Sequence, residues 1–457
     1  MYENTEKMLK AVSGAVEIED GETIVTGEER LVGGVIDDLI RTATLHDDEK
    51  TKSAARWIIR ESAQALGIYP ASINDLYLAR GRGEVKGDFS VPAVNIRFLT
   101  YDVARALFRA ARRNNSLAFI FEIAKSEMGY TFQQPGEYAP NIIAAAIRER
   151  HRGPVFIQGD HYQLKAKNFR KDAAAEKESV KKLISDSIAA GFFNIDIDSS
   201  TLVDLDRPTI DEQQKDNYEV TAELTRFIRG IEPEGVTVSV GGEIGEVGHK
   251  NSTEEELIAY MEGLNASLPG GMTGISKVSV QTGTTHGGVP LPDGSIADVK
   301  LDFDTLERLS RLAVERYGLG GAVQHGASTL PDELFDKFPA HRCNEIHLAT
   351  GFQNIVFESP RFPDEVKRAM NAYIMEHFAD ERNPGWSDEQ FLYKLRKKGW
   401  GPYKKQLWDM PGVTIDAVCR ELEDKFDFLF RKLKSVDTRD VVLEKVRPVR
   451  VSAPKPF

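Results

Sequence analysis

The stretch PVFIQGDH (154–161) decides how the chain is interpreted, because an apolar run ends there in two polar residues, Asp160 and His161. Near-continuous apolar runs are typical of parallel strands that are buried on both faces. Barrel enzymes keep their chemistry at the carboxyl ends of such strands, where the following loops converge on one mouth. The pattern therefore predicts a buried strand that delivers Asp160 and His161 to a site.

Seven further segments have the same character. They alternate with segments whose apolar residues recur at helical spacing, such as TYDVARALFRAARR (100–113) and FDTLERLSRLAVERYG (303–318). The eight predicted strands are residues 89–96, 117–124, 154–161, 192–199, 236–245, 277–283, 321–326 and 344–350. This alternation predicts an α/β fold, a (β/α)8 TIM barrel. An open doubly wound sheet would gather its ligands at one switch point, whereas here polar residues end the strands all around the ring.

Three of the strand ends carry histidines, namely His161, His286 and His325. A single histidine at a strand end is usually a hydrogen-bonded structural residue, but three at matching depth can hold a divalent metal with one position open. Zinc fits three neutral imidazoles best, although other divalent metals accept the same ligands. A metal held in this way would polarise a substrate carbonyl as a Lewis acid. The histidines therefore predict a catalytic metal site at the barrel mouth.

Glycine-rich turns follow two of these histidines. Gly287 and Gly288 follow His286, Gly326 and Ser328 follow His325, and Thr350 ends the last predicted strand. Backbone N–H groups at such turns and at helix N-termini bind phosphate. The last two strands of a barrel are also a frequent phosphate site. We therefore expect a small phosphorylated ligand.

Composition narrows the class of protein. The formal net charge of −12 weighs against nucleic acid as a partner, because a phosphate backbone would be repelled. The N-terminus has no apolar signal core, and no stretch approaches the roughly 20 apolar residues of a membrane helix. Two cysteines, Cys343 and Cys419, are too few for a disulfide framework. We predict a cytoplasmic protein with no membrane partner.

Six motifs in order resemble those of one family. They are GDH (159–161), NIDIDSS (194–200), GEIGEVG (242–248), TTHGG (284–288), QHGAST (324–329) and EIHLATGFQ (345–353). The chain resembles the class II, zinc-dependent fructose-bisphosphate and ketose-bisphosphate aldolases. That resemblance implies a barrel that works as a homodimer or larger homo-oligomer. It also implies reversible cleavage of fructose 1,6-bisphosphate into dihydroxyacetone phosphate and glyceraldehyde 3-phosphate.

The resemblance also implies roles for individual residues. His161, His286 and His325 match the family's zinc ligands, and Asp160 matches its catalytic aspartate. Acidic positions around the metal correspond to Glu243 and Asp198. Residues at the positions that hold the phosphate of dihydroxyacetone phosphate are Gly287, Gly326, Ser328 and Thr350, and we add Gly288 and Asn95 as substrate contacts.

The chain also departs from the family pattern. The last barrel strand has His347 and Gly351 where the family usually has an asparagine and an acidic residue. His347 is open to two interpretations, a substrate contact or a packed core residue. The family's mobile-loop glutamate, which moves a proton, corresponds here to Glu246 or to one of residues 254–256. No arginine matches the one that binds the distal phosphate.

Outside the barrel, the sequence predicts helical extensions. We expect an N-terminal extension over 1–87, a catalytic barrel over 88–355 and a C-terminal extension over 356–457 that makes oligomer contacts. The basic run RKKGWGPYKK (396–405) has the charge to bind phosphate or nucleic acid, but we interpret one short basic patch as a solvated helix end or a subunit contact. Two alternative functions stay open: an aldolase for tagatose bisphosphate or another phosphorylated ketose, and a non-catalytic aldolase-like partner subunit.

Overall fold

Eight parallel strands close into a barrel in this computed structural model, which describes residues 1–19, 21–245, 250–283 and 301–457. The strands of the described residues are β1 Val16–Glu19, β2 Glu22–Val25, β3 Ile68–Ala71, β4 Val91–Asn95, β5 Ile120–Ala124, β6 Gly153–Gln163, β7 Asn194–Asp198, β8 Ser239–Gly245, β9 Lys277–Val280, β10 Ala322–Gln324 and β11 Glu345–Leu348. Strands β4 to β11 pair with their neighbours in chain order, and β11 closes the ring on β4. The predicted TIM barrel is therefore confirmed.

The barrel strands are almost entirely buried. All five residues of β4 and of β5 are buried, as are the four residues of β9 and of β11. Alternate side chains of a strand point to opposite faces, so one set packs against the helices and the other fills the barrel. Each predicted strand overlaps one barrel strand, and the polar strand ends therefore meet at one mouth.

Helices separate the strands and form the outer layer. In the described residues they are α1 Thr5–Val12, α2 Glu28–Arg30, α3 Ile36–Leu45, α4 Glu49–Ala65, α5 Asn74–Gly81, α6 Thr100–Arg113, α7 Lys125–Thr131, α8 Pro135–Arg148, α9 Ala166–Lys171, α10 Ala173–Ala190, α11 Ile210–Ile231, α12 Glu254–Ser267, α13 Phe303–Tyr317, α14 Lys337–Ala340, α15 Thr350–Glu358, α16 Asp364–His377, α17 Asp388–Leu395, α18 Lys404–Trp408, α19 Gly412–Lys432 and α20 Arg439–Lys445. Helix α13 begins at the cap Asp302 and ends at Gly318, whose φ of 68° is the left-handed conformation of a glycine stop.

The N-terminal extension is mostly helical, but it also contains three strands that the sequence pattern did not predict. β1 and β2 form an antiparallel pair. β3 runs parallel to β6 and pairs with its residues 153–156, which precede the residues of β6 that pair with β7. Asn194 joins β3 to the barrel: its Nδ2 donates to the carbonyl of Ala71 at 3.1 Å, and its Oδ1 accepts from the N–H of Ile73 at 2.9 Å. A four-residue strand without alternation gives a weak signal, which is why β3 was not predicted.

The C-terminal extension packs back onto the barrel. Helix α19 lies along α6, where Glu423 forms ion pairs with Arg109 and Arg113. Cys419 on the same helix is buried, and so is Cys343 before β11. None of the helices in the described residues has both the length and the apolar character needed to cross a membrane.

Candidate active site at the barrel mouth

An irregularity in β6 carries Asp160 and His161. The pairing register between β6 and β7 shifts between Gly159 and Tyr162, so the two residues occupy a β-bulge. His161 has a φ of 43°, a left-handed conformation that is uncommon outside glycine. Bulges occur often beside active sites because they re-aim side chains, and here both residues line the same cavity.

His161 lies among carboxylates from three strands. Its Nδ1 is 3.2 Å from Oε2 of Glu243 and 3.4 Å from Oδ2 of Asp198, and its Nε2 is 3.9 Å from Oδ1 of Asp160. Burial on its own would lower the pKa of His161, but the charges of Asp160 and Glu243 raise it well above its ordinary value. Burial and the charge of Asp198 raise the pKa of Glu243 to about 7. The carboxylates around His161 therefore favour a positively charged group or ion at this position.

His325 joins this group from the turn after β10. Its ring centroid is 4.2 Å from that of His161, and its Nε2 is 3.1 Å from the hydroxyl oxygen of Ser279. Donor atoms of Asp160, His161 and His325 lie within 4.8 Å of one another, and so do those of His161, Asp198 and Glu243. Imidazole and carboxylate donors at this spacing fit a divalent metal such as zinc. The predicted residues Glu246, His286, Gly287 and Gly288 lie outside the described residues.

His347 lies beneath the mouth in a buried ionic network. Its Nε2 is 2.6 Å from Oε1 of Glu345, and its Nδ1 is 3.0 Å from Oε2 of Glu122 and 3.2 Å from Oδ1 of Asp160. Its ring centroid is 4.1 Å from that of His325. Burial lowers the pKa of His347, but the charges of Glu122 and Asp160 outweigh it and raise the pKa well above the usual value. His347 therefore packs in the core and also reaches the cavity.

Three charged residues of this network, Asp196, Lys277 and Glu345, were not predicted from the sequence. Lys277 at the start of β9 donates to Oε1 of Gln158 at 2.6 Å, lies 3.0 Å from Oδ1 of Asp196 and forms an ion pair with Glu345. Tyr77 also donates to Glu345. The spacing of residues in the sequence could have indicated two of them. Asp196 stands two residues before Asp198, and Glu345 stands two residues before His347. Because residues two apart on a strand share a face, the members of each pair point to the same side of the sheet.

A cavity of about 240 Å³ opens above these residues. Its lining includes the predicted phosphate-binding residues Gly326, Ser328 and Thr350. The N–H of Gly351 donates to the hydroxyl of Ser328 at 3.2 Å, so the start of α15 touches the turn after β10. A Cβ at Gly351 would meet the carbonyl oxygen of Ser328 at 2.2 Å, which explains why glycine stands at this position.

The lining of the cavity also includes Asn95 and two basic residues. Nδ2 of Asn95 donates to Oε2 of Glu127 at 2.6 Å, and Oδ1 of Asn95 accepts from Nε of Arg97 at 3.2 Å. Arg97 also pairs with Glu127 at 2.6 Å. Arg97 was not singled out in the sequence. Lys397, which reaches the cavity from the C-terminal extension, was noted only as part of the basic run 396–405.

Solved structures resemble the chain at low sequence identity. One is described as a probable tagatose 6 phosphate kinase from Sinorhizobium meliloti, with 16% identity over 80% of this chain and 95% of that chain and a TM-score of 0.52. Another is a fructose-bisphosphate aldolase from Campylobacter jejuni, with 15% identity over 81% and 96% of the two chains and a TM-score of 0.49. At these identities the first likeness shows a shared fold. No curated protein matches the sequence.

A family model gives the more specific result. The model for class II fructose-bisphosphate aldolases matches residues 84–386, which is more than half of the 457 residues. The matched part contains all eight barrel strands and the cluster of Asp160, His161 and His325. The chain therefore belongs to the class II fructose-bisphosphate aldolase family.

Proposed function

We propose that the protein is a metal-dependent aldolase that reversibly cleaves fructose 1,6-bisphosphate into dihydroxyacetone phosphate and glyceraldehyde 3-phosphate. The observation that carries the proposal is the grouping of Asp160, His161 and His325 at the mouth of a barrel of this family. The adjoining cavity is lined by hydroxyl groups and a glycine turn that suit a phosphate. An aldolase needs both features in one cavity.

His161 and His325 would hold the metal, with His286 as the third predicted ligand and Glu243 and Asp198 beside it. The donor set fits, because imidazole and carboxylate atoms lie within 4.8 Å of one another around His161. Zinc bound there would supply Lewis-acid polarisation of the ketose carbonyl. The surplus of carboxylates around His161 supports a cation at this position.

Asp160 would act as the base. In cleavage it accepts the proton of the C4 hydroxyl while the C3–C4 bond breaks, the C4 carbonyl forms and the electron pair moves toward the C2 carbonyl. In condensation Asp160 returns the proton to the aldehyde oxygen, as microscopic reversibility requires. Asp160 is 5% exposed and lines the cavity, so a bound hydroxyl is within its reach. Glu246 is proposed to move the second proton, at C3 of the dihydroxyacetone phosphate half.

Gly326, Ser328 and Thr350 would bind the phosphate of dihydroxyacetone phosphate, together with Gly287 and Gly288. Thr350 is the first residue of α15, and the N-terminus of a helix attracts anions through its free N–H groups and its dipole. Asn95 and His347 line the same cavity and would contact the sugar. The cytoplasmic location and the homo-oligomeric state predicted from the sequence belong to this proposal.

A second candidate is an aldolase for tagatose bisphosphate or another phosphorylated ketose. The buried contacts of His347 with Glu345 and Glu122 favour it, because a side chain fixed in this way presents a different surface to the sugar hydroxyls. The non-catalytic partner subunit is less well supported, since Asp160 and two imidazoles stand together.

Cleavage of fructose 1,6-bisphosphate by the purified chain tests the proposal. We would measure it before and after chelation and zinc repletion, with tagatose 1,6-bisphosphate in parallel and Asp160→Ala as the control. Chelator-sensitive cleavage of fructose bisphosphate that is lost in the variant would support the first candidate. Cleavage of tagatose bisphosphate alone would move the assignment to the second candidate. Metal binding without cleavage of either sugar would contradict the first candidate and leave an aldolase for another phosphorylated ketose or the non-catalytic partner subunit.

A further inference from the structure

The basic run of the C-terminal extension reaches the active-site cavity. Lys397 lies in the 3-10 turn Arg396–Gly399 and lines the same cavity as Asp160, His161 and Thr350. The family match covers residues 84–386, and the turn that carries Lys397 lies beyond it, so the family pattern does not account for this residue. The extension therefore adds a cation to a site that the barrel otherwise builds.

Aromatic packing fixes the turn in place. Trp400 is 1% exposed, its ring stacks on that of Phe98 with centroids 4.4 Å apart, and its Nε1 donates to Oε1 of Gln353 at 2.8 Å. Arg396 donates to Oδ1 of Asn354 at 2.5 Å. Both acceptor residues belong to α15, the helix that begins at the proposed phosphate site. The position of this turn is therefore set by its contacts with the barrel.

The charge of Lys397 is not balanced by an adjoining acid. In the part of the chain that the structure describes, no carboxylate forms an ion pair with its ammonium group, which lies 5.7 Å from the centroid of the Tyr130 ring. Burial lowers the pKa of Lys397, and the positive charge of Arg97 lowers it further, while the charge of Glu127 offsets part of this lowering. An anion bound beside Lys397 would relieve both penalties.

The cavity that Lys397 lines also holds groups that suit a phosphate. Ser126, Ser328 and Thr350 offer hydroxyls in the same cavity, and α15 offers its N-terminal N–H groups. A phosphate monoester has three acceptor oxygens and up to two negative charges, so it can use several such donors together with a cation. We propose that Lys397 binds a phosphate group of the sugar phosphate substrate. The identity of the sugar in this inference rests on the proposed function, whereas the binding of phosphate by Lys397 does not depend on it.

Calorimetric titration of the full-length, zinc-loaded protein with inorganic phosphate and with dihydroxyacetone phosphate tests the inference. Lys397→Ala should weaken the binding of both probes about 10- to 100-fold, the usual range for losing a hydrogen bond to a charged group. Lys397→Arg should restore most of the affinity, because it keeps the charge. The matched control Lys398→Ala should bind as the wild type does, since Lys398 pairs with Glu381.

The outcomes separate this inference from the proposed function. Unchanged affinity in Lys397→Ala, or no binding of either probe by the wild type, would overturn the role of Lys397 even if the protein cleaves fructose bisphosphate. Phosphate binding that depends on Lys397, in a protein that cleaves no ketose bisphosphate, would support the inference while the proposed function fails. Circular dichroism of each variant, with Lys397→Arg as the folded reference, distinguishes lost binding from lost structure.

Discussion

Two clusters of charged side chains lie at different depths in the barrel, and they differ in how their charge is balanced. The inner cluster consists of Glu122, Asp196, Lys277, Glu345 and His347, and the mouth cluster consists of Asp160, His161, Asp198, Glu243 and His325. Both combine acidic and basic residues from several barrel strands, which in the inner cluster are the alternate strands β5, β7, β9 and β11. Their surroundings nevertheless give them different chemical roles.

The inner cluster is balanced by its own members. Lys277 and His347 supply positive charge against Glu345 and Asp196, and burial raises the pKa of Glu122 well above its ordinary value, which favours its neutral form. The mouth cluster has three carboxylates and two imidazoles, so acidic groups outnumber basic ones. A divalent cation would balance this surplus of negative charge. From this difference we expect the inner cluster, whose charges pair internally, to contribute mainly to stability, and the mouth cluster, whose charge a ligand would complete, to contribute mainly to metal binding and catalysis.

The largest expected effect comes from Asp160→Asn, which keeps the shape of the mouth cluster but removes its proposed base. The value of kcat for ketose bisphosphate cleavage should fall about 100- to 10,000-fold, the usual contribution of general base catalysis. Stability should change little, because the amide can still hydrogen-bond. Steady-state kinetics and urea unfolding check the two halves of this prediction. A variant that keeps more than about a tenth of the wild-type kcat would exclude Asp160 as the base.

Lys277→Met should have the opposite pattern, with a large loss of stability. It leaves the buried carboxylate of Glu345 without its ammonium partner, and breaking a buried pair in this way costs about 3–5 kcal/mol. Urea unfolding measures the loss. The double variant Lys277→Met/Glu345→Gln is the control, and it should lose less than the sum of its single changes because both charges go together. Additive losses would mean that the two side chains are not energetically coupled.

The fold was predictable because strand ends and helix stops leave local signals. The eight apolar runs with polar ends indicated the barrel, and the pairing of β11 with β4 follows from closing that ring. Asp160, His161 and His325 were found for the same reason, since each follows an apolar run. The role of Gly351 was not evident, because it depends on contact with Ser328 from the preceding turn.

The inner cluster and the cation of the extension were harder to predict. Lys277 opens its strand, so a search for polar strand ends passes over it, and its partner Glu345 is 68 positions away in the chain. Lys397 belongs to a run that we interpreted as a solvated helix end or a subunit contact. Its place at the cavity depends on tertiary contacts of its neighbours, Trp400 with Phe98 and Gln353 and Arg396 with Asn354. Long-range pairing of this kind leaves no periodic pattern in the sequence.

His151 lies outside both clusters and provides a contrast with their histidines. It is largely buried but has no carboxylate partner among the described residues. Its Nε2 is 3.0 Å from the carbonyl oxygen of Pro154, and burial lowers its pKa to about 4. In the unfolded chain the pKa of His151 has its ordinary value of about 6.5, so the unfolded state binds the proton before the folded state does as the pH falls. The stability that neutral His151 contributes is therefore complete above about pH 6.5 and is lost progressively toward pH 4.

His151→Gln keeps a polar side chain but removes this titration. Between about pH 7.5 and pH 5, the wild type should lose about 1–2 kcal/mol more of its free energy of unfolding than the variant, since the folded and unfolded pKa values differ in that range. Urea unfolding of both proteins at the two pH values measures the difference. Equal losses would mean that burial without a carboxylate does not depress the pKa of this imidazole. The contrast with His161 and His347, whose pKa values are raised by neighbouring acids, would then lose its basis.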